Sequence, residues 1–212
     1  RLVLLNGALV GALGPSLDTI SRSTGLDDAA LGHYILQNRL SKLAGTLVWC
    51  AYAARLQRRK SNGRPHTLFA LLVLVSAISA LLIGYATHAA HLQTGLLFWG
   101  LAYGVTDSGI TSLTVWRWEG NDRRRRFDLA LVNSGFTVGA LLSPTLVAEA
   151  LRSASLYGPG SMAARHAGQW VFQIIAAGCM PLAFAFALQP RATLPARHDD
   201  EKSTVLPSAL AG

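Results

Sequence analysis

Residues 68–87 read LFALLVLVSAISALLIGYAT, twenty positions without a charge. As a helix such a run rises about 30 Å, the thickness of a bilayer's hydrocarbon core. Two further runs of similar length and polarity follow, 129–148 and 170–188. Three together argue against a single buried helix in a water-soluble domain and for a polytopic membrane protein.

Composition agrees. The chain is 51% hydrophobic and 14% charged, whereas a soluble domain carries about a quarter charged residues. Mean hydropathy is a modest +0.34, because basic loops and a polar tail from 189 to 212 dilute the apolar runs. The net charge of +8 sits in short clusters between those runs rather than on an amphipathic or aromatic-laced surface. It is therefore read as a topology signal, with no nucleic-acid partner expected. Cys50 and Cys179 both fall inside apolar runs, where neither is expected to form a disulfide or bind a metal. The chain opens at Arg1 and turns apolar at once. The expectation is a fragment whose first run is a span, since Asn6 and several glycines interrupt it and no small-residue cleavage site stands out.

Breakers between apolar runs divide residues 1–189 into six expected spans, near 2–20, 29–54, 67–87, 92–116, 127–151 and 169–189. Lipid cannot satisfy exposed backbone groups, so all six are expected to be α-helices in an all-α membrane bundle. Charge sets their orientation. The loops after the second and fourth spans and the tail hold thirteen basic residues: Arg55, Arg58, Arg59, Lys60, Arg64, Arg117, Arg123, Arg124, Arg125, Arg126, Arg191, Arg197 and Lys202. The opposite loops hold three: Arg22, Arg152 and Arg165. The positive-inside rule then puts both ends in the cytoplasm, with residues 190–212 a polar, disordered tail or the start of a longer loop. The Arg123–Arg126 run is read first as topogenic, with an anionic-lipid contact or trafficking signal as its rival.

Polar groups persist where lipid should be: Asn6, Asp18, Gln37, Asn38, Arg39, Lys42, Asp107 and Asn133. A charge at mid-bilayer costs about 2.5 to 3.5 kcal/mol even on lenient scales, so such residues face a partner or a watery cavity. Asp107 follows Gly95, Gly100 and Gly104, combining close-packing positions with an ionisable group on a helix fit to line a solute or proton route. Arg39 and Lys42, three apart, share a face and can neutralise Asp107, bind a solute or pair elsewhere. Asn6 and Asn133 are equally readable as helix-to-helix hydrogen bonders. Asp18 reads as a helix-end residue near water. Trp49, Trp116, Trp118, Trp170 and Tyr157 read as an interfacial aromatic belt, with Trp99 deeper and Trp116 a lesser candidate for stacking on a sugar ring.

The first span, GALVGALGPSLD over 7–18, and the fourth, GLLFWGLAYGVTD over 95–107, each place glycines before an aspartate, a weak sign of an inverted three-plus-three repeat. Pro15, Pro144 and Pro181 are expected to bend their spans. Gly135 and Gly139 form a GxxxG pair suited to close helix contact.

These features in this order resemble the N-terminal six-helix half of a major facilitator superfamily transporter. The residues that carry the resemblance are LGPSLDTI (13–20), Asp27 and Asp28, ILQNRLSKLAG (35–45), GLAYGVTDSGITSL (100–113) and NSGFTVGALLSP (133–144). They are most similar to the branch of the sodium-dependent glucose transporter and, more distantly, the fucose–proton symporters. The resemblance covers nearly all of 1–189 and implies transport of a small polar solute, foremost a sugar, by alternating access. Coupling to Na+ or H+ is implied in some relatives, with no other cofactor. Asp107 resembles the acidic fourth-helix position of the fucose symporters, and Arg39 a second-helix arginine of the branch. Two departures stand out. The loop AARLQRRKSNGRP (53–65) lacks the acid of the superfamily's pattern, and small residues near Gly11 replace an acidic first-helix position.

Asp107, Arg39, Asn38, Gln37, Asn133 and Asn6 are thus the candidate solute-binding or coupling residues, with no metal site. The expected partners are lipid, a small polar solute and either a second six-helix half or a second copy. The competing reading is a membrane scaffold, receptor or inactive half-transporter. An enzyme is not expected. No nucleophile motif, metal-spaced pair or phosphate loop is present, and His33, His66, His88, His91, His166 and His198 are scattered.

Overall fold

The computed structural model describes residues 2–59, 65–156 and 162–188, with side chains at all of these but 57–59, 65 and 162–168. Tyr157, the tail 190–212, and the basic side chains of Arg58, Arg59, Lys60, Arg64 and Arg165 lie outside what is described. Among the described residues there are six helices and no strands: α1 (Leu2–Thr24), α2 (Asp28–Arg59), α3 (Pro65–Gly84), α4 (Ala89–Arg117), α5 (Asp122–Ser155) and α6 (Met162–Ala187). Each expected span lies in one helix, the third and sixth running slightly past its end.

Four segments are long and apolar enough to cross a membrane: Leu2–Thr24, His66–Gly84, Asp122–Ser155 and Gln169–Ala187. α2 and α4 fall short of that apolarity, so four of the six expected spans have it. The reason is local. α2 carries His33, Gln37, Asn38, Arg39 and Lys42, and α4 carries Gln93, Thr106, Asp107, Ser108, Thr111 and Ser112. α2 nevertheless turns Leu36, Leu40, Leu43, Leu47 and Val48 outward, and α5 does the same with Phe127, Leu131, Val138, Leu141 and Leu142. An apolar exterior over a core that is itself mostly apolar, with Asn6, Asn38, Thr106 and Gln169 buried within it, is compatible with a multi-pass membrane protein.

The helices alternate in direction, and three close pairs organise them: α1 on α5, α2 on α4, α3 on α6. α3 also packs on α4, and α1 on α6. Exchanging helices 1–3 with helices 4–6 maps these five contacts onto one another, although α5 also packs on α6 where α2 scarcely touches α3, and glycines fix the register. A Cβ at Gly7 would overlap the Phe136 carbonyl oxygen, and one at Gly139 the Leu4 oxygen. Likewise, a Cβ at Gly104 would overlap the Lys42 oxygen, and one at Gly45 the Leu101 oxygen. The spacings are the same in both pairs, so Gly7 corresponds to Gly104 and Gly139 to Gly45. The connections repeat as well. Gly25 (φ 70°) follows α1 and Gly120 (φ 83°) follows α4, both in the left-handed region that glycine tolerates. The next helix then starts on an Asx cap: Asp27 Oδ1 accepts from the Ala30 amide at 2.8 Å and Asn121 Oδ1 from the Arg124 amide at 3.1 Å.

This register differs from the one the sequence offered. With Gly7 opposite Gly104, Asp107 corresponds to Val10, and the aspartates of α1 and α4 are not equivalent. Asp18 instead pairs with Arg22 at 2.7 Å, both well exposed, as a helix-end residue does. The GxxxG expectation is half met: Gly139 packs against α1, whereas nothing lies within 4 Å of a Cβ at Gly135.

Candidate functional site

α2 and α4 approach closely because Gly45, Gly100 and Gly104 leave no side chain between their backbones. That approach places Lys42, near the middle of α2, beside Asp107 of α4. Lys42 Nζ lies 3.1 Å from Asp107 Oδ2, with the two side chains 29% and 47% exposed. Lys42 Nζ also sits 3.9 Å above the centroid of the Tyr103 ring, four residues before Asp107 on the same helix face. The ammonium therefore meets a carboxylate and the negative face of a π system together.

Tyr103 is the middle ring of a stack. Trp99 lies 6.3 Å from it with planes 9° apart, and Phe136 of α5 lies 6.2 Å away at 8°. These are offset-stacked geometries. Trp99 and Tyr103 are buried, and among the described residues the Trp99 Nε1 has no hydrogen-bond partner. Ser108 Oγ and Thr46 Oγ1, 3.2 Å apart, continue the polar seam between α2 and α4 beyond Asp107. The arrangement offers a half-open ion pair on an aromatic floor, able to exchange internal charge pairing for contacts to a polar ligand.

The six sequence candidates separate into three groups. Asp107 anchors the pair, but its partner is Lys42 and not Arg39. Arg39 is exposed one turn away, and among the described residues it makes no ion pair. Asn133 is exposed on α5 three residues before Phe136, on that ring's side of the helix. Asn6 and Asn38 are 3% and 5% exposed and serve helix packing. Asn6 Nδ2 donates to Thr106 Oγ1 at 3.3 Å, and Asn38 Nδ2 donates to the Leu96 carbonyl at 2.6 Å. Gln37 belongs to another cluster nearer the α2 N-terminus, where its Oε1 accepts from Gln93 Nε2 at 3.0 Å and its Nε2 lies 2.8 Å from His33 Nε2.

Sequence reading missed the aromatic stack, because Tyr103 and Phe136 lie on different helices. It also misplaced Trp49. That residue is buried in the core rather than in an outer belt, touching Phe69 and Tyr52 and donating to Ser112 Oγ at 3.1 Å. An apolar groove lined by Ile78, Leu81, Leu82, Tyr85 and His91 lies on the α3–α4 flank, away from the ion pair. Among the described residues no three His, Cys, Asp or Glu side chains gather as metal ligands would. Compared with known proteins, the chain matches no family model, no curated protein and no solved structure.

Proposed function

We propose that this chain is a six-helix membrane unit of a solute carrier of the major facilitator type, moving a small polar solute, foremost a sugar, by alternating access. The observation that carries the reading is the Lys42–Asp107 pair over Tyr103, mid-helix and partly open, in a bundle whose exterior is apolar. Two charges held there without a role in handling polar species would be costly to keep. Aromatic rings beside hydrogen-bonding groups suit a sugar, which presents an apolar ring face and hydroxyl edges. The exchangeable pairing of three-plus-three helices further supports the reading, as repeats of this kind build many carriers.

In this reading all six helices span. The loops after α2 and α4 face the cytoplasm, and the α2–α4–α5 face meets a second six-helix unit across the solute path. Asp107 binds Lys42 when the site is empty and a solute hydroxyl, H+ or Na+ when it is engaged. The test is uptake of radiolabelled glucose and fucose into proteoliposomes, with and without Na+ and H+ gradients, by the chain and by Asp107→Asn. Gradient-driven uptake that the substitution uncouples supports carrier function, and uptake with unchanged coupling removes Asp107 from that role.

A second reading is a non-transporting scaffold. It is favoured by the fact that Lys42 already neutralises Asp107, so the pair can serve solely to hold α2 to α4. A helical, monodisperse chain that moves no solute with or without a gradient supports this alternative.

A further inference from the structure

We infer that the corner between α4 and α5 is a binding site for an anionic phospholipid, its headgroup phosphate held by Arg117, Arg123 and Arg124 and an acyl chain lying along α5. The inference needs only that the bundle lies in a bilayer, and it is independent of transport.

The corner is built around Trp118. Its Nε1 donates to Asp128 Oδ2 at 2.5 Å, which fixes the indole. The Arg117 guanidinium lies 5.2 Å from the ring and that of Arg124 5.1 Å, so one indole gathers two cations from different helices. Arg125 is spent on Asp122 at 2.7 Å. Arg117, Arg123, Arg124 and Arg126 are exposed, and none of them has an ion-pair partner among the described residues. Among the described residues the corner's three acids are Asp122, paired with Arg125, Asp128, whose carboxylate keeps its charge while accepting from the indole, and the exposed Glu119, set against five arginines. Asn121 already caps the first turn of α5, so the guanidinium groups, not the helix end, form the site.

The apolar half of the ligand has its own surface. Arg123 and Arg124 stand one turn before Phe127 and two before Leu131, which are 68% and 62% exposed. Helical spacing continues this stripe through Val138, Leu141 and Leu142, all exposed. Guanidinium groups at the head of a lipid-facing stripe match a phosphate joined to an acyl chain. Arginine also suits phosphate oxygens through its planar fork of donors. A free phosphate would have no use for the stripe, and a zwitterionic lipid would bring a cation towards three others.

The test is native mass spectrometry of the full detergent-solubilised chain, offered equal amounts of phosphatidylglycerol and phosphatidylcholine with identical acyl chains. The wild-type chain is expected to retain phosphatidylglycerol preferentially, and each of Arg117→Gln, Arg123→Gln and Arg124→Gln to lower that preference about fivefold. Arg55→Gln, an exposed cation at the same end of the bundle on α2, is expected to leave it within about twofold. Arg123 is exposed and is not one of the two cations over the Trp118 ring, so its variant carries the test even if those beside Trp118 loosen the corner. Equal retention of both lipids by the wild-type chain overturns the proposal, as does an equal loss on Arg55→Gln. A chain soluble without detergent overturns the membrane reading as well, whereas a detergent-requiring chain without preference overturns only the lipid site.

Discussion

Substituting Gly104 with alanine tests whether the α2–α4 contact is what assembles the ion pair. The new methyl would overlap the Lys42 carbonyl oxygen and lie 2.9 Å from the Thr46 amide nitrogen, both backbone atoms that no rotamer change can move aside. Relief requires the helices to part by about 1 Å, and overpacking of this kind costs about 1–3 kcal/mol. The same displacement carries Lys42 away from Asp107, now 3.1 Å distant. That adds up to about 1 kcal/mol for a half-exposed pair. The total, about 1–4 kcal/mol, is expected as a lower unfolding midpoint when helicity is followed by circular dichroism in detergent. Gly7→Ala, its counterpart between α1 and α5, is expected to cost about 1–3 kcal/mol by the same overlap. Gly14→Ala and Gly135→Ala, with nothing within 4 Å, are the controls. They are expected within about 0.5 kcal/mol of wild type or slightly above it, since alanine favours helix over glycine. Wild-type stability for Gly104→Ala would refute the close approach and the geometry of the site with it.

Three further outcomes follow from other contacts. Lys42→Met and Asp107→Asn are each expected to lower stability, and the double variant to recover part of the loss, with a coupling of about 0.2–1 kcal/mol in a double-mutant cycle; strict additivity would mean that the two groups do not interact. Asn38→Leu removes the 2.6 Å bond to the Leu96 carbonyl and is expected to cost about 0.5–1.5 kcal/mol by the same unfolding assay, without changing the charge of the face. Gly120→Ala forces a side chain into φ 83°; a loss of about 1–2 kcal/mol is expected, and an unchanged midpoint would show that the turn relaxes freely.

Helix positions were legible because uncharged runs such as 68–87 and the breakers between them are local signals. The α1–α2 and α4–α5 turns carry local signals as well, Gly25 and Gly120 beside Asp27 and Asn121, which sequence reading passed over. The site was legible only in part. Asp107 stood out as an acid within an apolar run, but its choice of Lys42 over Arg39 depends on which α2 residues lie opposite Gly104. That register comes from backbone contact between helices more than fifty residues apart in sequence. The repeat misled for a related reason. Glycines followed by an aspartate in each span suggested Asp18 as the counterpart of Asp107, while the glycines that touch a partner helix align Asp107 with Val10. Trp49 fits a belt by sequence position, and only its neighbours Phe69 and Ser112 reveal a core residue.

The measurement that bears most directly on the central claim, that the α2–α4–α5 face carrying Lys42 and Asp107 is wetted inside the membrane, is thiol labelling of single cysteines. The parent would be Cys50→Ser/Cys179→Ala in proteoliposomes, with a small charged reagent applied from each side in turn. Cysteines replacing Arg39 and Asn133 are expected to react from at least one side, and those replacing Leu36 and Leu141, which the structure turns outward, to stay unlabelled. Protection at 39 and 133 equal to that at 36 and 141 would contradict the account, for it would leave the ion pair facing lipid or protein rather than water.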